Sequence, residues 1–245
     1  MPPEYSVPAF SGPALAIVAL IAAYLLLVEP FWGKHTFAKF QRDRDSVPGA
    51  YARFFGTGMA VFWGLTGLVA LVVLLSPGVE WTHLGFHSDV DWGFLGSILI
   101  GSVAAILVLT LVTRKGKGIQ GPAELEPMLP RNAKERWCAV GTSVTAGVCE
   151  EIVFRGLLIA VGVSLGLPLY VAAGLSLAVF TLAHLYQGPK SMLGVGLIGL
   201  VLTYLYLSSG SLLLPILVHV LIDLRALLLT PRPDTESAEH HIPAA

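Results

Sequence analysis

An all-α, polytopic bundle of transmembrane helices is the fold class this sequence predicts, and three observations carry it. Of 245 residues, 55% are hydrophobic and only 13% charged, where an ordinary soluble domain has about 25% charged residues. Mean hydropathy is +0.74. The apolar residues gather into runs close to the roughly 20 residues that carry a helix across a bilayer. Backbone polar groups inside hydrocarbon must be satisfied within the segment or in a closed barrel, so such runs read as helices.

The first run spans 13–32. No Lys or Arg precedes Lys34, so the basic region of a cleaved leader is missing and the run reads as a retained span. Further runs at 56–76, 93–113, 137–163, 168–187, 191–208 and 211–230 bring the expected total to about seven spans. Only the tight turn Ser208-Ser209-Gly210-Ser211 parts the last two. The connection 114–136, with Gly116, Gly118, Gly121, Pro122, Pro127 and Pro130, predicts an irregular cytoplasmic linker loop. It divides an N-terminal three-span region, 1–113, from a four-span region, 137–230. Residues 231–245 read as a flexible tail in which His240 and His241 are solvated rather than a ligand pair.

Lys and Arg in short loops stay on the cytoplasmic side of a membrane. The loop after the first run holds Lys34, Lys39, Arg42, Arg44 and Arg53, and the linker holds Arg114, Lys115, Lys117, Arg131, Lys134 and Arg136. Residues 77–92 hold none. The alternation predicts an integral, multi-pass protein with its N-terminus outside and its C-terminus cytoplasmic, as in a cell membrane if the source is prokaryotic. Membrane lipids are then its immediate surroundings. A net charge of -1 leaves no basic footprint, and no phosphate-binding loop or zinc-finger spacing appears, so nucleic acid is not an expected partner. Cys138 and Cys149 lie eleven residues apart on one predicted helix. They are about three turns apart and cannot pair, so they read as small apolar fillers.

One span breaks the apolar rule. Glu150, Glu151 and Arg155 stand within the run 137–163, and each ionised group at mid-membrane costs about 2.5 to 3.5 kcal/mol on insertion scales. Glu151 and Arg155 are i and i+4 with the acid first, the better order for a helix ion pair, so they are expected to neutralise each other. Glu150, about 100 degrees round a helix from Glu151, is left as a free carboxylate. Candidate partners come from later runs: His184 in one, and the i, i+4 pair His219 and Asp223 in another. A carboxylate beside a histidine fixes its tautomer, and the same pairing serves metal sites and proton relays.

The ordered patterns Glu-Glu-x-x-x-Arg at 150–155, Phe-x-x-x-His at 180–184 and His-x-x-x-Asp at 219–223 resemble the CPBP family of intramembrane endopeptidases, also called the CAAX prenyl protease 2 or Abi family. The resemblance covers about 137–230. It implies a peptidase acting on membrane-associated, CAAX-like or lipidated protein substrates, with the four-span region catalytic. Glu150 and His184 would activate a water, while His219 and Asp223 would stabilise the oxyanion. Many members carry Asn where this chain has Asp223, and an Asp donates a hydrogen bond only when protonated. The expected chemistry needs no cofactor and is that of a glutamic peptidase. The alternative is a zinc site built from Glu150, His184, His219 and Asp223, and no His-Glu-x-x-His helix supports it. A proton-coupled transporter could use the same side chains, but the paired repeats expected of one are missing.

Overall fold

The structure is a computed structural model, and it describes residues 7–87, 90–115 and 123–230. Seven helices and no strands occur among the described residues. They are α1 (Gly12–Asp43), α2 (Ala50–Leu74), α3 (Trp92–Lys115), α4 (133–164), α5 (Leu169–Ala183), α6 (Pro189–Ser209) and α7 (Leu213–Leu228). Each overlaps one of the predicted spans. α1, α2, α3 and α6 are long and apolar enough to cross a membrane by length and composition alone. α4 is charged at its centre, and α5 and α7 are short, at 15 and 16 residues. The protein is an integral membrane protein. The tail 231–245, with Arg232, His240 and His241, lies outside the described residues, as does Lys117 of the linker.

Two boundaries differ from the sequence reading for local reasons. α1 does not stop at residue 32 but runs on to Asp43. Its polar second half buries Pro30, Gly33, Phe37 and Phe40, a stripe at helical spacing beneath exposed polar neighbours such as Lys34 and Lys39. α4 begins at Ala133, inside the expected linker, because the Asn132 side chain accepts a hydrogen bond from the Glu135 backbone N–H at 3.0 Å and caps it.

Both α1 and α4 contain a widened, π-helical stretch, Tyr24–Val28 in the first and Glu151–Leu158 in the second. Such stretches are rare and gather at functional sites. The one in α4 holds Glu151 and Arg155 and directly follows Glu150. Widening frees backbone groups that a regular helix would pair, and here the Ser176 hydroxyl of α5 donates to the Phe154 carbonyl at 2.6 Å.

The main core is formed where α1, α2, α4 and α5 meet, around Val18, Ile21, Val69, Val153, Leu157 and Ala172. A second, aromatic cluster of Phe37, Phe40, Tyr51 and Phe55 joins α1 to α2. Above it Arg44 binds the linker: it donates to the carboxylate of Glu135 at 2.6 and 3.0 Å and to the Pro127 carbonyl at 2.9 Å. α3 stands apart from this core, with Ile100, Val103, Leu107 and Val112 all turned outward.

Candidate functional site

The centre of α4 is where charge is least expected and most deeply placed. Glu150 is 5% exposed, Glu151 0% and Arg155 1%. Burial on this scale demands partners, and Arg155 has four. Its Nη1 donates to Glu151 Oε1 at 2.9 Å, its Nη2 to the Gly199 carbonyl at 3.0 Å and its Nε to Thr203 Oγ1 at 3.4 Å. Its guanidinium carbon also lies 4.4 Å from the centre of the Phe180 ring, within the range of a cation–π contact. The predicted Glu151–Arg155 pair is therefore present.

α7 brings a histidine to the same carboxylate. His219 Nδ1 lies 2.8 Å from Glu151 Oε1. That oxygen already accepts from Arg155, so the hydrogen-bond network assigns the proton to Nδ1. The other ring nitrogen, Nε2, faces two further acids, Glu150 Oε2 at 4.0 Å and Asp223 Oδ2 at 3.8 Å. Glu150 Oε2 is buried and has no hydrogen-bond partner among the described residues. One ring nitrogen of His219 is thus held by Glu151, and the other stands between two carboxylates beyond direct hydrogen-bond distance.

α5 supplies the second histidine at its C-terminal end. His184 Nδ1 lies 2.8 Å from the Phe180 carbonyl one turn earlier, which leaves Nε2 as its outward-facing nitrogen. Phe180 gathers the components: its ring centre is 4.7 Å from that of His184, 6.5 Å from that of His219 and 5.2 Å from that of Phe154. Together with Arg155, both histidines therefore pack around a single phenyl ring.

Two glycines permit this convergence. A Cβ on Gly147 would stand 2.5 Å from Val220 Cγ2 and 3.1 Å from the Val220 backbone nitrogen, so only glycine lets α4 meet α7 one turn before Glu150. A Cβ on Gly199 would stand 2.9 Å from Phe180 Cδ1. The bare backbone there lets α6 lend its carbonyl to Arg155.

Glu150, Glu151, Arg155, His184, His219 and Asp223 thus come from three helices to one locale, in which Glu150, Glu151, Arg155 and His219 are buried and His184 and Asp223 are partly exposed. The i, i+4 spacing of His219 and Asp223 points to Asp223 as the acid that orients the imidazole. In the structure Glu151 makes that hydrogen bond, because it lies opposite Nδ1 across the α4–α7 contact, and Asp223 stands beyond bonding distance on the Nε2 side. Among the described residues no group of three or more His, Cys, Asp or Glu side chains is arranged to hold a metal ion.

Sequence reasoning passed over the glycines, the anchoring of Arg155 by α6 and one further acid. Glu29, in the middle of α1, accepts from the Tyr24 hydroxyl at 2.5 Å. A lone acid inside a long apolar run was the available signal for it.

A model of the family described as Type II CAAX prenyl endopeptidase Rce1-like matches residues 132–225. The match begins at the cap of α4, ends within α7 and contains all six residues of the cluster. No curated protein and no solved structure matches the chain.

Proposed function

We propose, from the likeness of residues 132–225 to the Type II CAAX prenyl endopeptidase Rce1-like family, that the chain is an intramembrane endopeptidase of the CPBP family and that its α4–α5–α7 cluster hydrolyses peptide bonds of membrane-associated substrates by water activation without a metal. The observation that carries this reading is the buried, unpartnered Glu150 Oε2, 4.0 Å from His219 Nε2. That gap is within reach of one bridging water.

In the proposed reaction Glu150 accepts a proton from the water, which His184 helps to orient through Nε2, and the water oxygen bonds to the scissile carbonyl carbon. Negative charge develops on the carbonyl oxygen. His219 donates to it from Nε2 when that nitrogen carries a proton, and Asp223 lies beside the same nitrogen to favour that form. Glu151, itself held by Arg155, fixes the ring through Nδ1. Collapse of the tetrahedral intermediate breaks the C–N bond, and Glu150 returns its proton to the departing amine. The cluster faces the cytoplasm in this reading, with the N-terminus outside and the C-terminus inside. Its substrates are lipidated or membrane-embedded protein segments.

The test uses the full chain in liposomes with an internally quenched, farnesylated CAAX-type peptide. Cleavage is expected to persist in EDTA or phenanthroline and to vanish in Glu150→Gln with folding and insertion intact. Undiminished cleavage by Glu150→Gln overturns the assignment, and loss under chelator with rescue by zinc replaces it with a metallopeptidase. Comparing protein termini in membranes carrying the active or Glu150→Gln chain would identify natural substrates.

A further inference from the structure

The first helix lies outside the matched family region, yet it reaches the residue that covers His184. Tyr186 follows His184 by two positions in the short 3-10 turn Leu185–Gln187. Its ring is stacked on the His184 ring at 6.1 Å with 25 degrees between planes. Phe180 also lies close, with its ring centre 4.7 Å from that of His184 and tilted to it by 48 degrees. Tyr186 is itself held from α1. The edge of Phe37 meets it at 5.5 Å, and a methyl group placed on Gly33 would stand 3.4 Å from its Cδ1 and 3.7 Å from its Cβ. Gln187 Nε2 donates to its hydroxyl at 2.9 Å.

We propose that Tyr186 is a positioning residue for His184, and that α1, through Gly33 and Phe37, sets where Tyr186 stands. The inference rests on the peptidase reading for its consequence in catalysis, and on geometry alone for the placement of the ring. His184 is hydrogen-bonded through Nδ1 to its own helix, which sets the turn of the ring about Cβ–Cγ. The stacked Tyr186 ring bounds the space into which the imidazole could shift as a whole. Holding a group in reactive geometry is worth a large factor in rate, since a displacement of about 1 Å can cost about a hundredfold. The N-terminal region then has a defined part in the chemistry.

Two measurements test it. In liposomes with the farnesylated quenched peptide, Tyr186→Ala is expected to lower kcat by about ten- to a hundredfold with little change in KM, and Tyr186→Phe to restore it, because the stacked face and not the hydroxyl does the positioning. Independently of activity, the Cε1–H resonance of His184, assigned by its loss in His184→Gln, is expected to shift in Tyr186→Ala and also in Gly33→Leu and Phe37→Ala, neither of which replaces a residue touching His184. A resonance unmoved by both α1 variants overturns the role of α1. Tyr186→Ala with wild-type kcat in a preparation where Glu150→Gln is inactive overturns the role of Tyr186. A wild-type chain that leaves the peptide intact counts against the peptidase reading, and the resonance shifts still decide the placement.

Discussion

Replacing Arg155 with Met keeps most of the side-chain volume and removes the charge. The main consequence is electrostatic: Glu151, 0% exposed, would lose the guanidinium that accounts for its place in the interior. Breaking a buried pair by removing one partner costs about 3 to 5 kcal/mol. The Gly199 carbonyl and the face of Phe180 lose a donor and a cation at the same time. At about 2 to 4 °C per kcal/mol for a chain of this size, the expected fall in Tm is about 6 to 20 °C. Adding Glu151→Gln removes the stranded charge while leaving an amide oxygen to accept from His219 Nδ1, so the double variant is expected to recover most of that loss. Thermal unfolding of the three proteins in one detergent measures both effects. An Arg155→Met chain that melts with the wild type, or a double variant as weak as the single one, refutes the assignment of Arg155 as the counter-charge of Glu151.

Gly147→Ala places a methyl 3.1 Å from the Val220 backbone nitrogen, so α7 must shift by a few tenths of an ångström or more; a stability loss of about 1 to 3 kcal/mol and a clear fall in kcat are expected, and wild-type values in both would show that this contact does not set the position of His219. Asp223→Ala removes the carboxylate beside His219 Nε2 and is expected to lower kcat by about a hundredfold, and Asp223→Asn by less, because its amide can itself donate to the developing oxyanion; wild-type rates for both variants would remove Asp223 from the reaction. Asp45, outside the spans, is ion-paired with Arg131, whose hydrogen bond and charge hold its carboxyl below the ordinary value. A depressed folded value means this contribution is present above about pH 3.9 and disappears as pH falls through the lower folded value. Hydrogen-exchange protection of 44–49 and 126–131, relative to the intrinsic rate at each pH, is expected to fall on acidification, and less so in Asp45→Asn; identical protection profiles would exclude the contact.

Much of the architecture was legible because a bilayer imposes strict rules. Seven apolar runs became seven helices, and the charges that violate the pattern in α4 marked the locale of the cluster. The i, i+4 spacing of Glu151 and Arg155 also announced their ion pair, since both lie on one element. What spacing within one helix does not encode is contact between helices. The partner of His219 Nδ1 was hidden for this reason: Asp223 is its neighbour in sequence, while Glu151 is its neighbour across a packing interface. The close approaches at Gly147 and Gly199 were equally silent, since a glycine in a membrane helix is common and only the opposing side chain reveals its use. The continuation of α1 past Trp32 was missed because hydropathy falls there, although the buried stripe from Pro30 to Phe40 was present at helical spacing.

The wide turn at Glu151–Leu158 also uncouples the two ends of its rod. One residue added to a helix of regular pitch rotates everything beyond it by about 100 degrees, and a π-helical insertion absorbs such an offset locally. The half that carries Glu150 toward α7 and the half from Ile159 onward that lies on α5 are thereby phased separately. Shortening 151–158 by one residue would restore a regular pitch and draw the Phe154 carbonyl back into the helix, away from the Ser176 hydroxyl that now donates to it.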